Sequence, residues 1–187
     1  MFAGGEIGAL CEWAGRVRPV SMTSDETFAQ LGLGAVAGLA GTLLLHAAMT
    51  ARGKAAPSSV PAIRRDPAEF FVERGKRQLP ARVQERIPES VGKAVGMGLA
   101  SGYGVLFGAI YGLVRRNRVT VPRAMMEGSL LGVIAWAVGY LGWLPAGGFM
   151  PPLWKQKWPA TVGPLVDHAL YGAATAGALD VMMRVRG

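Results

Sequence analysis

Along the 187 residues, charged side chains leave four stretches almost untouched: 31–50, 94–114, 124–144 and 162–183. Each holds about 20 residues, enough at about 1.5 Å of rise per helical residue to cross a hydrocarbon core about 30 Å thick. The glycines lie inside these stretches without a three-residue period, which excludes a collagen-like pattern and suits membrane helices that approach closely. The pattern predicts an all-α integral membrane bundle of four transmembrane helices. Residues 1–27 read as a lead-in, with Ser24 as the first helix cap, and 28–186 as the membrane domain.

The connections are polar and punctuated by proline. Between the first two spans, 51–92 carries mixed charge and the segment "DPAEFFVERGKRQLP". Asp66 suits an N-cap there and Pro67 a first helical position, so the segment reads either as a short interfacial helix or as a solvated loop. Ser90 is the expected cap of the second span. The third span ends on the interfacial anchors Tyr140 and Trp143, and the Pro-rich 145–162, with Trp154 and Trp158, is expected to fold back over the interface. Arg115, Arg116, Arg118 and Arg123, with no acid among them, place that loop and both termini on the cytoplasmic side.

Composition narrows the chemistry. Apolar residues make up 51% of the chain and charged ones 17%, so the net charge of +8 is read as basic flanks meeting lipid headgroups, and no nucleic-acid partner is expected. The single Cys11 cannot form an internal disulfide, and no Cys/His cluster has zinc spacing. Glu6 and Glu12 interrupt the opening residues, which therefore do not read as a secretory signal; Met22 is an alternative start. No Ser-His-Asp set, P-loop or HExxH is present, so neither a cofactor nor an enzymatic activity is expected.

Small residues recur every four positions. Ala100, Gly104, Gly108 and Gly112 mark one face of the second span, Gly128 and Gly132 the third, and Ala169, Ala173 and Gly177 the fourth. Such glycine-zipper faces let backbones meet, within one bundle or between copies in a homo-oligomer. The segments "SGYGVLFGAIYGLVRR" and "ALYGAATAGALDVMMR" also align on Tyr103-Gly104 and Tyr171-Gly172, which predicts a two-hairpin internal repeat in parallel orientation.

Ionisable residues in a span need a partner, an exit to water or a job. Chain direction sets His46, Tyr140, Asp167, His168 and Tyr171 at similar depth, a candidate polar cluster. Three readings stay open: interhelical hydrogen bonding, a proton-responsive switch, or a metal site of two His and one carboxylate. Asp180 stands four before Arg184 and Glu127 four after Arg123, the spacing of helical ion pairs.

The stretches "GLAGTLLLHAAM", "GYLGWLPAGGFMPPLW" and "DHALYGAATAGAL" resemble the YagU-like family of small uncharacterised bacterial inner-membrane proteins. The resemblance implies a multi-pass protein of the inner (cytoplasmic) membrane and carries no activity with it. The function expected is that of an assembly, accessory or stress-related membrane component. The alternative is a small oligomeric transporter or channel with a proton-responsive His/Asp cluster. Expected partners are membrane lipids and a homo-oligomer or larger membrane complex.

Overall fold

A computed structural model describes residues 23–64, 66–115, 117 and 119–186; most of the expected lead-in, with Cys11 and Met22, and Arg116 and Arg118 fall outside them. The described chain is helical, without a strand. Its main helices are α1 (Ser24–Ala55), α4 (Glu89–Val114), α5 (Val121–Ala146) and α6 (Trp158–Arg186); α2 (Pro67–Lys76) and α3 (Ala81–Gln84) lie in the first connection.

All four main helices outrun the apolar stretches by a few residues, and α1 does so with a side-chain cap at its start. At α1 the cap is Thr23, not Ser24. The Thr23 hydroxyl accepts from the Glu26 N–H and the Glu26 carboxylate accepts from the Thr23 N–H, while Asp25 and Glu26 sit at the positive end of the helix dipole. At its far end α1 continues to Arg52 and Lys54, so those basic residues belong to the helix and not to the connection. Pro88, not Ser90, precedes α4; Ser90 lies inside the helix. Asp66 caps α2 by accepting from the N–H groups of Ala68 and Glu69, with Pro67 at the first helical position.

α5 changes character near its end. Val121–Trp136 is α-helical, Ala137–Trp143 is π-helical, and Gly142 breaks the helix with φ −99° and ψ −105° before a last turn at Leu144–Ala146. Pro145 has no N–H for the preceding turn, and Gly142 accepts the irregular backbone. After the turn the chain folds back: the Phe149 ring packs on Phe70 of α2 and on Trp143, and the Arg64 N–H donates to the Phe149 carbonyl.

Three helices are long and apolar enough to cross a membrane: α1, α4 and α5. The expected fourth span, α6, is as long as these, at 29 residues, but Asp167, His168 and Asp180 lower its apolar character. It takes the sheltered position instead. α1 packs on α4 and α6, α6 packs on α1 and α5, and α4 meets α5 only marginally, where the Tyr103 hydroxyl donates to the Ala135 carbonyl. Successive main helices run antiparallel, so the start of α1 and the end of α6 share one end of the bundle.

Glycine controls the spacing. A Cβ on Gly34 would stand 2.9 Å from the Gly112 Cα, and one on Gly108 2.5 Å from the Gly38 Cα, so α1 and α4 meet backbone to backbone. α5 meets α6 in the same way, with Gly128 over the Gly172 carbonyl and Gly132 over the His168 carbonyl. On α6 the contact therefore runs through His168, Gly172 and Ala176. Of the expected Ala169–Ala173–Gly177 face only Ala169 reaches this seam, 3.1 Å from a Cβ on Gly132, and the contact is otherwise centred one residue, or about 100° of helix rotation, away. Gly177 faces open space and Ala173 is half-buried.

Candidate functional site

α6 carries two buried carboxylates, and each is met by an arginine from another helix. Near its start, Asp167 Oδ2 accepts from Arg52 Nε at 2.8 Å and lies 2.7 Å from Arg52 Nη2. Arg52 Nη1 donates to the carbonyl and the hydroxyl of Ser59, which the 3₁₀ turn Pro57–Ser59 brings back under the end of α1. The Asp167 side chain is 5% exposed and that of Arg52 16%. Burial at this depth is tolerable only for a charge that is paired and hydrogen-bonded.

At the opposite end, Asp180 holds two arginines. Its Oδ1 accepts from Arg115 Nη2 at 3.0 Å and its Oδ2 from Arg184 Nε at 2.7 Å. Arg115, just past the end of α4, is 4% exposed; it also donates to the Tyr111 hydroxyl and the Ala176 carbonyl. Arg184 is the expected partner one turn away, whereas Arg115 comes from a different helix. The Arg123–Glu127 pair is also formed, on the exposed start of α5. The two carboxylates lie thirteen residues, about 20 Å, apart along α6, with the glycine contacts between them.

The expected polar cluster divides. Tyr140, in the π-helical stretch, sets its ring edge-on to His168 with centroids 5.6 Å apart, and His168 Nδ1 lies 2.7 Å from the Pro164 carbonyl. These rings stand beside the Arg52–Asp167 pair. Tyr171 points elsewhere: its hydroxyl donates to the Gly104 carbonyl at 2.7 Å and ties α6 to α4. His46 is exposed and takes no part in the cluster. Its depth matches, since Gly41 faces Thr175 and Arg52 faces Asp167. Its rotation does not: position 46 lies about 120–140° around α1 from positions 41 and 52. A pairing of the two histidines is therefore set aside.

Arg52 and Arg115 are the residues that sequence reasoning missed. Each lies beyond an apolar stretch and so counts there as a flanking charge. The usable signal was the acid: a carboxylate inside a span calls for a partner or an exit to water at its own depth, and a guanidinium is the best-suited partner. Among the described residues, no three His, Cys, Asp or Glu side chains are placed to hold a metal ion. A cleft lined by Phe70, Arg74 and Arg77 among others lies on α2, away from these carboxylates. What the arrangement offers chemically is charge neutralisation and helix fastening: Asp167 Oδ2 and both Asp180 oxygens accept from guanidinium donors.

No protein-family model, no curated protein and no solved structure matches this chain.

Proposed function

We propose that this is a four-span, non-enzymatic protein of the bacterial inner membrane that acts through helix packing, as an assembly, accessory or stress-related component. One observation carries the reading. The helix seams are built mostly from small and hydroxyl-bearing residues, with a few large side chains such as Tyr171 and Leu179 buried among them, and most large apolar side chains face outward. Leu43, Leu106, Met126 and Leu130 face outward, while Gly34, Gly108, Gly128, Gly172, Thr42 and Thr175 fill the contacts. A soluble bundle buries its large apolar side chains; a bundle in lipid gains nothing by that and uses small residues for close approach. α6 serves as the fourth span in this reading, its acids neutralised by Arg52, Arg115 and Arg184.

The YagU-like resemblance supports the inner membrane, and the arginines of 115–123 support a cytoplasmic location for both termini. The two-hairpin repeat gains support from equivalent contacts. In the first hairpin Gly38 sits over the Gly104 carbonyl; in the second Gly128 sits over the Gly172 carbonyl, and both receiving glycines follow a tyrosine.

A second reading, a small oligomeric transporter, rests on Tyr140 and His168 beside the Arg52–Asp167 pair. Backbone contact along the α1–α4 and α5–α6 seams favours the first reading, because a path would have to run between chains. The test is purification in mild detergent with identification of co-purifying chains, alongside reconstitution into vesicles loaded with a pH-sensitive dye. Specific membrane partners and no proton flux above empty vesicles are expected. A flux abolished by Asp167→Asn would replace this reading with the transporter.

A further inference from the structure

Two residues of α1 have no role in the bundle, and they fall on one stripe. A Cβ on Gly32 would meet nothing within 4 Å. Glycine weakens a helix interior relative to alanine, and Gly34, Gly38 and Gly41 of the same helix offset that by close contact with α4 or α6. Gly32 makes no such contact. His46 is exposed, and among the described residues its ring has no hydrogen-bond partner.

The position of His46 makes this costly. α1 is charged at Glu26 and at Lys54, and a hydrocarbon core of about 30 Å centred between them covers roughly positions 30–50. His46 lies about 6 Å inside that core. Its exposed neighbours on that face are Leu39, Leu43 and Thr50, and the Thr50 hydroxyl donates to the His46 carbonyl. Ionisable side chains within spans ordinarily face a bundle interior or a polar partner, and this one faces outward.

Gly32 and His46 are fourteen residues apart, nearly four turns, and align to within about 40°. Phe28, Ala35, Leu39 and Thr50 continue the stripe with steps of three, four or seven, the spacing of a helix pair crossing at a shallow angle. Phe28, Leu39 and Thr50 are exposed and Ala35 is half-buried. Gly98 and Gly102 of α4 also face open space, but they sit among apolar Met97, Leu99 and Leu106, which lipid satisfies.

We infer that the stripe is the contact with a second copy of this chain, α1 against α1 about a two-fold axis along the membrane normal. Gly32 lets the two backbones approach, and His46 meets the partner's His46. Imidazole is suited to this self-pairing: one neutral ring donates its N–H and the other accepts, so identical residues complement one another across the axis. The inference rests on the membrane reading proposed above.

The test uses the full chain, with Cys11→Ser, reconstituted in phosphatidylcholine/phosphatidylglycerol vesicles and oxidised mildly. Leu39→Cys should give a disulfide-linked dimer, whereas Leu106→Cys, on the outer face of α4, should stay a monomer. The parent chain in mild detergent should show the mass of two chains. His46→Leu and Gly32→Leu should each lose both signals, and His46→Asn, which keeps a donor and an acceptor, should retain them. Cross-linking of Leu39→Cys no stronger than that of Leu106→Cys, with the chain still resisting alkaline carbonate extraction, would overturn the dimer and leave the membrane reading standing. Release by carbonate would overturn both.

Discussion

Asp167 and Arg52, 115 positions apart in the chain, form the contact that closes α6 against the end of α1, with two guanidinium nitrogens on a single carboxylate oxygen at 2.7 and 2.8 Å. Ser59 holds the third nitrogen of that guanidinium, so the charge is both neutralised and fixed in position. The pair lets an acid sit in the sheltered helix without an unpaired charge.

Removing one member should therefore be worse than removing both. Asp167→Ala leaves Arg52 buried and uncompensated, a loss of about 3–5 kcal/mol by comparison with other broken buried pairs. Arg52→Met combined with Asp167→Leu should recover most of that loss. Thermal unfolding in detergent, followed by loss of helicity, checks the order. A double variant no more stable than either single one would show that the pair matters for something other than charge compensation.

The other end of α6 predicts an asymmetry between two partners of one acid. Asp180→Ala strands Arg115, which is almost fully buried, and should cost about as much as breaking the first pair. Arg184 is 52% exposed, so Arg184→Ala should cost at most about 1 kcal/mol. Unfolding of the two single variants under identical conditions distinguishes them; equal losses would assign the burial penalty wrongly.

The α1–α4 seam separates glycines that look alike in sequence. Gly108→Leu drives a side chain into the backbone at Gly34 and Gly38, beyond what small rotations absorb, and should cost at least the ~1–3 kcal/mol of ordinary overpacking. Gly102→Leu, six positions earlier, enters open space and should leave the melting temperature unchanged or raised. Thermal melts of the two variants in one detergent make the comparison, and a drop for Gly102→Leu would mean that face is covered.

Tyr171 tests the polar fastening between helices. Tyr171→Phe keeps the ring and removes the hydroxyl that donates to the Gly104 carbonyl, a loss of about 1 kcal/mol for one interhelical hydrogen bond. A combination of Tyr171→Phe with Tyr103→Phe, which releases the Ala135 carbonyl, should be close to additive because the acceptors differ. Denaturation midpoints of the two single variants and the double variant decide this, and strong coupling would indicate a shared network.

Much of the architecture is local information and was legible in the chain. Long runs without charge mark helices because an exposed backbone cannot stay unpaired in lipid, and Asp66-Pro67 marks the start of α2 because capping is settled within four residues. The order of spans even places His46 at the depth of Asp167, since rise per residue is fixed. Rotation about each helix axis is a different kind of quantity. It turns His46 outward, moves the α6 contact from Ala173 and Gly177 to His168 and Gly172, and sends Tyr171 to α4. That choice belongs to packing: it depends on which faces interlock across several helices at once, and no single segment records it. The sequence alone therefore determined where the helices run and that their acids need partners. The tertiary structure decided that the partners are Arg52 and Arg115, because only the assembled bundle brings residues 115 and 65 positions apart to within a hydrogen bond.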